Sequence, residues 1–527
     1  MVGALPPTPS WAAMARQASA APVHSGPGLG DRLFGIAGPA FQRIGSLLSA
    51  STSNGTHDIS PSTPWTAFTL GVDVVGGNVV SGHTDHSVPS IGFSTTVGRA
   101  YNSAASANGP FGRGWFWSYG IRVSTGGANP TVTREDGRAD TYVASNGTLA
   151  PPAGIHDQLV KNADGTFTLT RTDQVTYTFS SAGRLQRISD PNGNILLVAY
   201  KGSAPSGLTD TAGRAWGVRA DGSGHITQIT DPAGRTVAYA YSAAGDLTSV
   251  TDPLGATTTY AYDTNHRLMA ITDPNKHTTK YAYDAVGKAS TVTDPAGNVN
   301  SIVYDTANAR TRVTDPRGNV RSYGYDSSNR VTAFTDALGK SETGAWDTSN
   351  NRTTVDDGNG HTTSYSYDSG GNVTLVTDAL GGKTTTTYDA ANHPISVTDP
   401  LGRTSSNSYD AHGNLTSVTD PATHTTQYTY DGKGQRLTAT DANGNTANYA
   451  YDTAGNRTAE TDALGKRTTY AYDGVGRVTS ETDPDGRVTS FAYDTLGRVL
   501  STTDGAGGVS KAAYDGAGNR ITITDPL

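Results

Sequence analysis

Aspartate is the residue whose number and spacing in this chain could do chemistry. The sequence holds 47 acidic residues. Carboxylates set in pairs can act as general acid, base or nucleophile, as in glycoside hydrolysis. Runs of the type Asp-x-x-Gly-Asn, as at Asp452–Asn456, offer oxygen atoms to calcium, which needs several that converge. Both readings fail on one ground. The aspartates recur identically along the chain, whereas a catalytic or metal site requires one place that differs from its neighbours. The residue that would complete a calcium shell is often an arginine, as at Arg477 and Arg498. His83 and His86 form a His-x-x-His, but residues three apart on a strand point to opposite faces. There is no cysteine, hence no thiol nucleophile, cysteine-ligated zinc or disulfide. No Gly-x-Ser-x-Gly stands in a strand-to-helix setting to carry a serine nucleophile. These residues imply no enzyme, no metal site and no cofactor.

The spacing is the stronger signal. Aspartates of a Thr-Asp-x-x-Gly type fall every 21 residues from Asp210 to Asp525 without a slip. A second series, in Tyr-Asp-x-x-Gly, runs in parallel from Asp263 to Asp515. A fixed period of this length is the mark of a repeat architecture. Representative pairs are Tyr262-Asp263, Tyr283-Asp284, Tyr430-Asp431, Tyr451-Asp452, Tyr472-Asp473 and Tyr493-Asp494. They are expected to serve structure, once per unit.

Each unit shows alternation and no helical stripe. Thr468, Tyr470 and Tyr472 share one strand face, while Thr469 and Ala471 share the other. The tyrosine before the first turn recurs from Tyr262 to Tyr514, with Trp346 the one departure. In register these rings would form a ladder in which each shields the next. Three residues after the Tyr-Asp aspartate stands Gly or Asn (Asn308, Asn329, Asn350, Asn392), with His266 once. Gly and Asn share tolerance of positive φ, which predicts a type I turn closed by a left-handed bulge residue. The aspartate side chain can accept backbone N–H bonds and hold the turn. The second turn, often Asp-Pro-x-Gly, has type I features too; Lys276 and Thr423 replace its glycine. Two strands and two turns per unit make an antiparallel β-meander.

Around this array the chain divides into four parts. Residues 1–60 are rich in Ala, Pro, Ser and Gly and read as flexible, with one short helix conceivable from Phe34 to Leu48. Residues 61–150 read as a small β domain, packed by Phe111, Trp115, Phe116, Trp117 and Tyr119. Residues 151–209 are degenerate repeats, and 210–527 are regular ones that stop inside a unit, as a fragment would. Hydrophobic residues make up only 35% and net charge is −8 with no basic cluster. That supply is thin for a dry core and disfavours nucleic acid as a partner. No apolar run is long enough to span a membrane as a helix, and the N-terminus lacks a clear signal peptide. A strip of about 30 strands must coil, because twist accumulates at about 20–25° per strand. A coiled strip encloses space, here expected to be wet or filled by a guest.

The units resemble the YD repeats of the Rhs family. Gly476-Arg477-Val478 before Thr482-Asp483-Pro484 carries the likeness, as does Gly183-Arg184-Leu185 before Asp190-Pro191. Gly77-Asn78, Thr84-Asp85, Arg99-Ala100-Tyr101-Asn102-Ser103 and Gly112-Arg113-Gly114-Trp115 are similar to the β domain that precedes such repeats in bacterial members. The resemblance implies an all-β strip that spirals into a hollow shell, as in insecticidal toxin complexes and teneurins. It also implies a secreted or cell-surface protein whose shell holds a C-terminal toxin domain, used against competitors or hosts. Such members carry an autoproteolytic aspartate after the repeats, for which this chain has no counterpart. The alternative is a surface adhesion protein whose tyrosines contact a cell-surface glycan.

Overall fold

The computed structural model describes residues 68–526, so the expected helix from Phe34 to Leu48 lies outside the described residues. One antiparallel sheet of 36 strands runs from Gln158–Lys161 to Arg520–Thr524, each strand paired only with its sequence neighbours. It exceeds the expected 30 strands because the degenerate units from Gln158 onward already pair as hairpins in the same sheet.

The strip has two rims, one of Tyr-Asp turns and one of Thr-Asp turns. Hydrogen bonds between residues far apart in sequence show that it winds back on itself. Gln174 donates to the Ala391 carbonyl, 217 residues on. Asn192 bonds Asn414, and Asn194 donates to the Lys433 carbonyl. Arg235 donates to the Thr495 carbonyl, 260 residues on. Asn275 donates to Asp515. In each case after Gln174 a Thr-Asp turn of the first coil meets a Tyr-Asp turn of the second. One circuit therefore takes 217 to 260 residues, about ten to twelve units of 21.

The N-terminal β domain sits inside the first coil. Its main strands are Val80–Val88, Thr95–Asn102 and Trp115–Trp117. It touches the strip from Gly183, whose carbonyl accepts the Val123 N–H, to Tyr323, which bonds Thr69. That arc is more than half a circuit, and it is contacted on one face only. A body that meets one face of a coil over such an arc lies on its concave side. Within the first coil the space expected to be wet or filled by a guest is taken up by this domain: it is a plug, and one continuous apolar cluster joins it to the wall. Trp115, Trp117, Phe111 and Tyr101 of the plug are buried against Leu247, Leu268, Tyr239, Tyr260 and Val292.

A loop of the plug also reaches the seam between the coils. The Ser90 hydroxyl bonds Thr211 and the Ala212 N–H on the Thr-Asp rim. Ile91 lies against Gly455 and Pro89 against Gly476 on the Tyr-Asp rim. Val475, next to Gly476 in the same turn, is fully buried, whereas Val286 at the same turn position is 81% exposed.

Candidate functional site

Each turn is built on one aspartate. In the Tyr451-Asp452 unit, Asp452 Oδ1 accepts the N–H groups of Ala454 and Asn456, both shorter than 3.0 Å, and Oδ2 accepts the Asn456 amide at 2.8 Å. The Asp452 carbonyl accepts the Gly455 N–H at 3.1 Å, which closes a type I turn. The same pattern holds at Asp263, where Arg267 Nε binds Oδ2 at 2.7 Å. Asp284 and Asp431 cap their turns through Oδ1 alone. Asp473 and Asp494 add Arg477 and Arg498 on Oδ2, each at 2.5 Å. The arginine that counted against calcium is thus the turn's own clamp. At Asp294, the Asn298 amide and then its N–H hold the carboxyl below its ordinary pKa. At Asp473 burial opposes this, and the N–H and guanidinium of Arg477 outweigh it.

The fourth turn residue has positive φ at His266, Asn329, Asn350 and Asn392. The Thr-Asp turns share this geometry, with φ of 70° at Lys276 and 71° at Thr423. Asn308 departs from the expectation. There the loop is one residue longer, residues Thr306–Asn308 form a 3-10 turn, and Ala309 takes the left-handed conformation with φ 47°. The two flanking strands then pair without the bulge seen in other units.

The tyrosines clamp one hairpin to the previous one. The hydroxyls of Tyr283, Tyr430, Tyr451, Tyr472 and Tyr493 donate to the carbonyls of Leu268, Leu415, Arg436, Arg457 and Val478, at 2.7–2.9 Å. Trp346 does the same work, with Nε1 donating to the Val331 carbonyl at 3.0 Å. Tyr262 differs: its hydroxyl accepts from Trp115 Nε1 of the plug at 2.8 Å. Burial raises the Tyr472 phenol to about 12 against the pull of Arg457, so it stays protonated and can donate.

The ladder is not ring on ring. Between successive tyrosines lies the fifth turn residue. Arg267 covers Tyr283 at 4.5 Å, Arg498 covers Tyr514 at 4.6 Å, and His393 stacks on Tyr409 at 4.7 Å. Arg477 shows the full stitch: Nε on Asp473, its plane over Tyr493, and Nη1 on the Asp494 carbonyl at 2.9 Å. Sequence reasoning missed this role, although the position carries Arg, Asn, His, Gln or Lys in most units, all able to donate.

It also missed how the plug is locked. Arg99 binds Asp85 through Nε at 2.8 Å and Nη2 at 3.0 Å, and Nη1 donates to the Tyr260 hydroxyl at 3.1 Å. Tyr239 donates to Asp85 at 2.8 Å, and Arg99 lies 5.1 Å from the Trp115 ring. Asp85 is the extra residue of a β-bulge between Thr84 and His86. The bulge overturns the opposite-face reading of His83 and His86, because both now meet the wall. His83 packs edge-on against Tyr260, and His86 against Trp216. Burial, then Arg99, lowers the His83 pKa to about 3. The plug also reads the period directly: the Pro110 carbonyl accepts the Ile226 N–H, the Tyr101 hydroxyl that of Leu268, and the Gly77 carbonyl that of Ala289. These N–H groups stand at one position of the 21-residue unit.

The RHS repeat model matches ten stretches between residues 221 and 527, over half of the chain. The chain belongs to the RHS repeat family. A domain of unknown function, DUF6531, matches residues 71–142 of this RHS repeat protein, the plug. The chain is 28% identical over 125 residues to the tRNA nuclease WapA of Bacillus subtilis, and 27% to the tRNA3(Ser)-specific nuclease WapA of Bacillus spizizenii. The match covers 24% of this chain and 5% of those relatives. Among solved structures, the crystal structure of TcdB2-TccC3-TEV aligns with 92% of this chain and 29% of its own, at 12% identity and a TM-score of 0.50, a likeness of fold. Among the described residues no group of three His, Cys, Asp or Glu side chains could hold a metal ion, and no helix is long and apolar enough to cross a membrane.

Proposed function

We propose that this chain is the wall and inner closure of a shell that surrounds a polypeptide guest. The guest is a toxin domain of the same protein, delivered outside the producing cell in competition or host interaction. The observation that carries the reading is the plug. A domain lodged on the concave side of the first coil fills that part of the strip, and the second coil continues as wall with the same face turned inward. Support comes from the relatives, whose names describe nucleases and of whose length this match covers 5%. The turn aspartates are occupied by backbone and side-chain donors, which favours a structural role over catalysis by the repeats. The inward tyrosines count against a glycan-binding outer surface.

The test is to express the complete reading frame of the locus in a bacterial host, with and without the gene that follows it. Growth arrest relieved by that gene is the expected result. Harmless expression of the whole frame, or a downstream sequence that encodes only a wall anchor, contradicts the reading.

A further inference from the structure

The inner wall of the second coil repeats one slot. Arg436 lies between two tyrosine rings, 5.6 Å from Tyr428 and 4.8 Å from Tyr449. One unit on, Arg457 lies 5.6 Å from Tyr449 and 5.5 Å from Tyr470, and its Nη1 binds Glu460 at 3.1 Å. In the first coil the same slot is filled from outside the wall. The plug's Arg99 lies 5.9 Å from Tyr239 and 5.6 Å from Tyr260, and it brings Asp85 as its carboxylate.

The next unit of the second coil breaks the series. Tyr470 and Phe491 stand at the positions of the flanking rings. Glu481 pairs across the sheet with Tyr470, as Glu460 does with Tyr449. The cation's position, however, is Val478. Among the described residues Glu481 makes no hydrogen bond or ion pair. Tyr470, Val478, Glu481 and Phe491 are all half-buried. Two rings and one unpaired carboxylate thus stand where this chain twice sets an arginine and once receives one.

We propose that this slot takes the guanidinium or ammonium group of an arginine or lysine on a polypeptide lying along the inner wall. The proposal rests on the guest reading above. A cation between aromatic faces with a carboxylate beside it is held by ring quadrupoles and by charge together. Guanidinium suits the slot best, since it stacks well and is weakly hydrated.

The probe is a fluorescein-labelled glycine-serine peptide carrying spaced arginines, with the same peptide bearing glutamine as control. Each is titrated into the full chain and followed by anisotropy. The arginine peptide is expected to bind about tenfold more tightly. Glu481→Gln should erase that advantage, and so should Val478→Arg, which fills the slot from within. Val478→Arg should also raise the melting temperature, by copying the Arg457 arrangement. Equal binding of the two peptides, no binding of either, or an advantage that survives both substitutions overturns the slot. A folded Val478→Arg protein with an unchanged melting temperature does so without any peptide. The guest reading stands or falls separately, on growth arrest by the complete frame.

Discussion

The two coils are made of the same unit and treat their inner face differently. In the first coil the position five places after the Tyr-Asp aspartate, or after Ser242 in its place, holds Leu247 and Leu268, both fully buried under the plug, and further along Arg310 and Arg352. In the second coil the same position includes Arg436 and Arg457, beside Leu415, Val478 and Val499. Tyr239 and Tyr260 are covered by plug side chains, while Tyr449 is covered by arginines of the wall itself. The first coil is a socket, and apolar burial of about 25 cal/mol per Å² drives its closure. The second coil caps part of its own aromatic face with charge, and among the described residues no domain is packed against that face as the plug is in the first coil. The turn chemistry carries the fold, and a few inner-face positions decide what each coil encloses.

Acid should separate the coils most strongly, because it strikes turns in both. Carboxyls such as Asp263, Asp294 and Asp473 have folded pKa values below their unfolded ones. Their contribution is complete above the unfolded value of about 4 and is lost as pH falls through the folded one. Hydrogen exchange at falling pH is expected to show the second coil opening before the plugged first coil. Simultaneous opening would erase the distinction.

Arg99→Met should come next. It leaves Asp85 buried without its cation, with only the Tyr239 hydroxyl beside it, and should cost about 3–5 kcal/mol in urea unfolding. Arg457→Met, where the arginine side chain is 37% exposed, should cost less than about 1 kcal/mol. Equal costs would mean that the plug is no tighter than the open wall.

Repainting the second coil with the first coil's residues, Arg436→Leu with Arg457→Leu, should keep the fold and raise the fluorescence of an apolar dye such as ANS. No rise would show that the arginines do not mask the aromatic face. The smallest effects concern the shared turn. Lys276→Gly in the first coil and Thr423→Gly in the second relieve left-handed strain and should each stabilise by about 1 kcal/mol. Unequal gains would locate a difference between the coils in the turns themselves.

The array was legible because its turns are chemically narrow. Gly or Asn at the fourth position fixed the left-handed residue, and the period fixed the number of hairpins to within the degenerate units. Asn308 misled, because the loop there takes up the residue that other units place in the bulge, and no residue type marks that exchange. The coil was legible only in outline. Its pitch depends on twist summed over many strands and on rim contacts such as Asn192 with Asn414, which no local pattern encodes. The plug's lock was hidden for a similar reason. Asp85 and Arg99 lie 14 residues apart on neighbouring strands, and a bulge that sequence does not announce turns them to the wall. The fifth turn residue was the missed opportunity, since its run of donors is plain in the repeat.

The central claim is that the strip closes into a coil with its Thr-Asp rim against its own Tyr-Asp rim. The chain contains no cysteine, so Asn192→Cys with Asn414→Cys allows two spin labels to be placed cleanly across the seam. Pulsed electron–electron spin resonance in the full chain should return one narrow, short distance, as expected for side chains in hydrogen-bond contact. A straight strip would hold the labels about 100 Å apart at about 4.8 Å per strand. A long or broad distribution would contradict the coil, and with it the socket and the wall.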